Sequence, residues 1–263
     1  MALNLSSGAE ALSEKLGAFG FERVRRALAA LSLSFFAILY LFLAFNAPEG
    51  WGPAFGALSV CYLVAFFAVV AEWFWGRWFA TGIGWSGLTV AMLSLVLVGW
   101  APALIIYGLL HGLIVLPLAG KSMAVRYDLQ EDWRKRYRMD ELGVARLRKT
   151  ITRSAASLPS LILWALGPKE PGQGMLLALA TLALAAVGFR GLVRLRTWGW
   201  AAVGVSALVA LVGGPLWATA SATTAAAAAG FFAFAGPDLA TCFLLAAALP
   251  FALPAFRFLR ARA

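Results

Sequence analysis

Residues 27–45 read ALAALSLSFFAILYLFLAF, and residues 83–119 read IGWSGLTVAMLSLVLVGWAPALIIYGLLHGLIVLPLA. The first holds no charged residue over 19 positions, enough for a helix to cross a hydrocarbon core about 30 Å thick. The second runs for 37 residues, too long for one crossing. Trp100-Ala101-Pro102 divides it, because proline suits the first turn of a new helix. These stretches decide the class. Across all 263 residues the chain is 62% hydrophobic and 13% charged, against about 25% charged in ordinary soluble domains, and its mean hydropathy is +0.83.

Working outward, apolar stretches fall at 27–45, 54–71, 83–100, 102–119, 155–167, 175–192, 198–218 and 239–256. The reading is an all-α polytopic transmembrane helical bundle of about eight spans, with both ends in the cytoplasm. The span at 155–167 is short, carries Pro159, and needs Thr152 to Ser154 to reach across. Residues 27–45 are too long for a cleaved signal and lack a small-residue cleavage pattern after them, so they read as a retained anchor.

Orientation follows from counting loop Lys and Arg. With the N-terminus inside, 21 of the 22 basic residues fall inside and only Lys169 lies outside. That count requires the apolar segment 221–235, SATTAAAAAGFFAFA, to be a re-entrant or surface-lying helix on the outer side instead of a ninth span. The domains are then 1–26, a cytoplasmic amphipathic segment with capping-box spacing at Ser7 and Glu10; 27–119, spans one to four; 120–154, a basic amphipathic cytoplasmic segment; 155–256, spans five to eight; and 257–263, a basic tail. The segment 120–154 joins two four-helix halves.

The formal charge of +10 would invite nucleic acid in a soluble chain, but loop bias accounts for it here, and nucleic acid is not expected as a partner. In 121–154, Val125, Leu129, Trp133 and Tyr137 recur every four residues while Asp128, Glu131, Asp132, Arg134, Lys135 and Arg138 cover the other faces. Val144, Leu147 and Ile151 continue the apolar stripe, with Arg146, Arg148 and Lys149 opposite. Trp133, Arg134, Lys135, Arg136, Arg138, Arg146, Arg148 and Lys149 are the candidates for contact with anionic headgroups or a protein partner.

Within the spans, His111 stands alone between Gly108 and Gly112, beside Tyr107. Ionisable groups at membrane depth are functional candidates, while the flanking glycines offer a close-packing face with the imidazole bonded to a backbone carbonyl. Glu72 and Arg77 border a tryptophan cluster, Trp73, Trp75, Trp78 and Trp85, of the kind that forms an interfacial aromatic belt. They either pair or face water. Asp238 opens the last span, where it can cap the helix or meet a ligand. Tyr107, His111, Asp238, Glu72 and Arg77 are therefore the candidate ligand or transport-path residues. Cys61 and Cys242 read as small buried hydrophobes. No His, Cys or carboxylate spacing writes a metal site, and no cofactor or catalytic residue is expected, since the P-loop, zincin and hydrolase motifs do not occur.

The function expected from these features is that of a non-enzymatic multi-pass subunit or accessory protein of a cytoplasmic (inner) membrane assembly, with a cytoplasmic docking or lipid-binding segment. The preference for Arg over Lys and the abundance of Ala point to a bacterial, GC-rich source. The alternative is a small-molecule or lipid transporter with its path between the halves, near Tyr107, His111 and the outer segment 221–238. A third is an intramembrane enzyme using His111.

Overall fold

The computed structural model describes residues 5–128, 140–168, 173–218 and 237–260. Every regular element among them is a helix: α1 (Leu5–Asn46), α2 (Gly52–Val70), α3 (Gly76–Val98), α4 (Pro102–Leu118), α5 (Lys121–Asp128), α6 (Glu141–Leu166), α7 (Gln173–Val193), α8 (Thr197–Ala218) and α9 (Pro237–Arg260). Among the described residues, four stretches are long and apolar enough to cross a membrane, namely Gly20–Asn46, Gly52–Val70, Gly76–Leu97 and Met175–Val193. The pair Pro102–Leu118 and Lys121–Asp128, bent by 72°, makes a fifth if taken as one span. Many large apolar side chains lie on the outer surface. Phe45, Val96 and Trp100 are 83%, 81% and 88% exposed, which water would penalise and lipid does not.

The expected breaks hold in some places and vanish in others. Ala101 is extended and Pro102 starts α4, where its missing N–H costs nothing. By contrast, the N-terminal segment and the first apolar stretch form one uninterrupted helix of 42 residues. Likewise α6 runs unbroken from the Asp140 cap, whose carboxylate accepts from the Gly143 N–H at 2.8 Å, through position 154 to Leu166. A helix does not end because its flanks change from charged to apolar. Backbone bonding continues wherever propensity permits. The α3 helix also starts seven residues before the apolar stretch at 83, taking in Arg77 and Trp78. Segment 221–235 lies outside the described residues.

The helices form two closed rings. In the first, α1 packs on α2, α2 on α3, α3 on α4 and α4 back on α1; in the second, α6, α7, α8 and α9 close in the same order. The rings join where α6 lies against α3 and α2. Because lipid is as apolar as leucine, close backbone approach and interhelical hydrogen bonds must hold such a bundle. Both occur. Ser59 Oγ donates to the Ala37 carbonyl at 2.7 Å, Ser206 Oγ to Thr181 at 2.9 Å, and Trp200 Nε1 to Ala248 at 2.9 Å. At the ring junction, Thr150, Ser154, Ser157 and Ser160 of α6 are buried, and Gly82 of α3 lies so close to Thr152 and Ala155 that a Cβ there would overlap them.

Two tight turns close the helical hairpins at one end. After α2, Trp73 N–H reaches the Ala68 carbonyl at 3.0 Å, and after α7, Arg196 N–H reaches Gly191 at 2.8 Å. This is the Schellman closure, which needs a left-handed residue, usually glycine. Glu72 and Leu195 occupy it with φ of 55° and 56°.

The glycine next to His111 in space is on a different helix. A Cβ at Gly87 of α3 would overlap the imidazole of His111, and at Gly108 it would meet Ala91 at 3.2 Å, whereas at Gly112 it would find open space. The seam is therefore built from Gly87 and Gly108, without Gly112. Gly87→Ala should lower thermal stability in mild detergent by about 1–3 kcal/mol, the usual cost of overpacking, while Gly112→Ala should leave the melting temperature unchanged. Equal effects of the two would contradict this seam.

Candidate functional site

Helix α5 is only 8 residues long, too short to persist alone in water. Gly120 (φ 97°) turns the chain at its start, and side chains lock it against the middle of α1, the end of α2 and the start of α3. At the centre of this lock, the Arg77 guanidinium grips the Asp128 carboxylate. Nε donates to Oδ1 at 3.1 Å and Nη2 to Oδ2, while Nη1 reaches the Leu118 carbonyl at 3.3 Å. Trp78 Nε1 donates to Asp128 Oδ1 at 2.8 Å, and the Arg148 guanidinium stands 3.8 Å from Oδ2. The Arg77 and Asp128 side chains are 11% and 6% exposed. A buried ion pair gains net stability only with such additional bonds, but losing one partner strands the other.

A second, wetter layer surrounds it. Glu72 Oε1 accepts from Arg126 Nε and Nη2, each at 2.9 Å, and also pairs with Arg26, while Glu22 lies 3.7 Å from Arg126. Arg25 of α1 bonds Ser122 Oγ at 3.2 Å and the Ala119 carbonyl. Tyr127 Oη donates to the Val69 carbonyl at 2.7 Å. Burial pushes the Tyr127 phenol above its usual pKa despite Arg26 and Arg126 beside it, so it remains a donor.

These contacts revise two expectations. Glu72 and Arg77 do not pair with each other; each meets a partner from α5. The apolar stripe through Val125 is displaced as well: Val125 is 58% exposed, and Met123, Tyr127 and Asp128 are buried. Arg77 and Trp78 supply the polar partners that bring the Asp128 face inward. Of the four clustered tryptophans, Trp75 and Trp78 belong to the core and Trp73 and Trp85 are half exposed. Cys61 is buried while Cys242 is exposed.

The second candidate cluster lies inside the first ring. His111 is fully buried. Its Nδ1 is 2.8 Å from the Tyr107 carbonyl and its Nε2 is 2.8 Å from Tyr62 Oη. A carbonyl can only accept, so Nδ1 carries the proton and Nε2 accepts from the Tyr62 hydroxyl. Phe36 and Tyr107 lie against the ring at centroid distances of 4.0 and 4.3 Å, and Tyr40 adds a third phenol beside Tyr62 and Tyr107. The arrangement can hold a neutral imidazole in one tautomer.

Tyr107 and His111 therefore share a cluster, and Glu72 and Arg77 share the lock around α5. Asp238 stands second in α9. Arg146, Arg148 and Lys149 lie exposed along α6, opposite buried Val144, Leu147 and Ile151. Trp133, Arg134, Lys135, Arg136 and Arg138 lie outside the described residues, as does segment 221–236. Sequence reasoning missed Asp128, Trp78, Tyr62 and Gly87 as partners. Each lies on a different helix from the residue it meets, and no local periodicity marks such a pair.

Comparison with protein-family models, with curated proteins and with solved structures finds no match for this chain.

Replacing His111 with leucine removes the acceptor of the Tyr62 hydroxyl and should cost about 1–3 kcal/mol, the usual loss for an abandoned buried partner. His111→Gln, which keeps a polar end, should cost less. Thermal unfolding in detergent measures both, and equal losses would contradict the hydrogen-bonding role.

Proposed function

We propose that the chain is a non-enzymatic multi-pass subunit or accessory protein of a cytoplasmic-membrane assembly. It crosses eight times with both ends in the cytoplasm and presents a basic cytoplasmic surface to a partner. The observation that carries this reading is the convergence of charge at one end of an otherwise apolar bundle. Arg25, Arg26, Arg77, Arg126 and Arg148 come from four helices and meet around α5. Exposed Arg146 and Lys149 extend the same cationic end along α6.

Such an end belongs on the cytoplasmic side by the distribution of loop Lys and Arg, and it suits anionic headgroups or an acidic protein surface, at about 1 kcal/mol per basic residue near the membrane. Support for the non-enzymatic reading comes from His111, whose two nitrogens are both engaged within the first ring. The same engagement draws Tyr107 and His111 away from any path between the halves, which weakens the transport alternative.

Topology is the direct test. An alkaline phosphatase fused after residue 263 should be inactive and a fluorescent protein fused there should fluoresce. An active phosphatase would place the C-terminus outside, make 221–235 a crossing segment, and overturn the eight-span arrangement. A partner held by the basic surface should co-purify in mild detergent at low salt and be released as salt screens charges beyond about 8 Å. A partner retained at high salt, or unaffected by replacing Arg134, Lys135, Arg136 and Arg138 with Gln, would contradict electrostatic docking.

A further inference from the structure

A cleft of about 380 Å³ opens between the start of α3, the end of α4 and the middle of α6. Four cations line it, Arg77, Arg148, Lys149 and Arg153, and no carboxylate does among the described residues. Asp128 compensates Arg77 and lies 3.8 Å from Arg148, so one carboxylate faces two guanidiniums. Arg153 donates to the Ala246 carbonyl at 2.6 Å, a neutral acceptor, and has no carboxylate partner among the described residues. The cleft thus holds an excess of positive charge among the described residues.

Its lining also changes character along its length. Arg77, Thr81 and Trp85 follow at four-residue intervals on one face of α3. A buried cation therefore stands at one end, a hydroxyl one turn along, and a half-exposed indole (49%) two turns along, where Val115 of α4 continues the apolar wall. On α6, Lys149 is followed by Thr152 and Arg153. A sequence of charge, hydroxyl and indole along one groove matches an amphiphile with an anionic head and an apolar chain, since basic pockets between membrane helices hold phosphate headgroups and tryptophan favours the interfacial level.

We propose that this cleft is a single binding site for the phosphate group of an anionic phospholipid, held by Arg148, Lys149 and Arg153, with its acyl chain lying along Trp85. The proposal deepens the headgroup arm of the function above. It replaces diffuse attraction to a basic surface with one saturable site. Arg77 sets the floor, its guanidinium held in place by Asp128.

The test uses the whole chain in mild non-ionic detergent, titrated with dihexanoyl phosphatidic acid and followed by native mass spectrometry. One adduct should saturate. The double variant Arg148→Gln/Lys149→Gln changes only exposed side chains and should weaken the adduct by about fivefold for each charge removed. Arg146→Gln, exposed on the same helix but outside the cleft, should stay within about twofold of the parent because its charge is screened from the site. Dihexanoyl phosphatidylcholine, which lacks net negative charge, should bind more weakly than phosphatidic acid. Inorganic phosphate should displace the lipid only at much higher concentration. Displacement at equal concentration would overturn the lipid assignment and leave a free-phosphate site. Unchanged affinity in the double variant, or an equal loss in Arg146→Gln, would overturn the site. If instead replacing Arg134, Lys135, Arg136 and Arg138 alone abolished lipid binding, the diffuse headgroup reading would survive and the cleft would not.

Discussion

One buried carboxylate organises the charged end of this molecule. Asp128 accepts from Arg77 and from Trp78, while Arg77 reaches on to the last carbonyl of α4, that of Leu118. A single pair thereby ties the start of α3, the end of α4 and the end of α5. The short α5, bent 72° away from α4, has no length to stabilise itself and owes its position to such contacts. Its second layer, Glu72 with Arg26 and Arg126, is about a quarter to a third exposed, so each pair there contributes at most about 1 kcal/mol. The energetic weight rests on the inner pair.

Placement of α5 has consequences for both surfaces proposed to bind. Asp128, held by Arg77, also comes within 3.8 Å of Arg148 on α6, while Lys149 and Arg153 line the cleft beside it. The left-handed conformation at Glu72 belongs to this picture too. It closes the α2–α3 hairpin tightly enough to bring its own carboxylate, Arg77 and Trp78 under α5, at the kind of strained position that is kept where the surrounding contacts determine it.

The helical class, the break at Pro102 and the approximate positions of α2, α4, α7, α8 and α9 were legible from hydropathy and proline alone. The exposed and buried sides of α6 were legible too, because Val144, Leu147 and Ile151 keep a helical interval against Arg146, Arg148 and Lys149. What escaped sequence reasoning was pairing. Arg77 and Asp128 are 51 positions apart, and Tyr62 and His111 are 49 apart. Glu72 and Arg77, five apart, are expected from sequence to pair or to face water, and the left-handed turn instead directs them to different neighbours. The continuity of α1 and α6 was hidden for a different reason: a hydropathy window reports the solvent around a helix, and the hydrogen bonds that carry the helix across a change of solvent leave no mark in it.

The central claim is that Arg77 and Asp128 stabilise the protein as a pair and not as separate charges. A double-mutant cycle of Arg77→Met and Asp128→Leu, read by thermal unfolding in detergent, measures this directly. Each single variant strands a buried charge and should lose about 3–5 kcal/mol, while the double variant, with both charges gone and apolar groups in their place, should lose far less than the sum. Additive losses, or single variants that melt like the parent, would contradict the account.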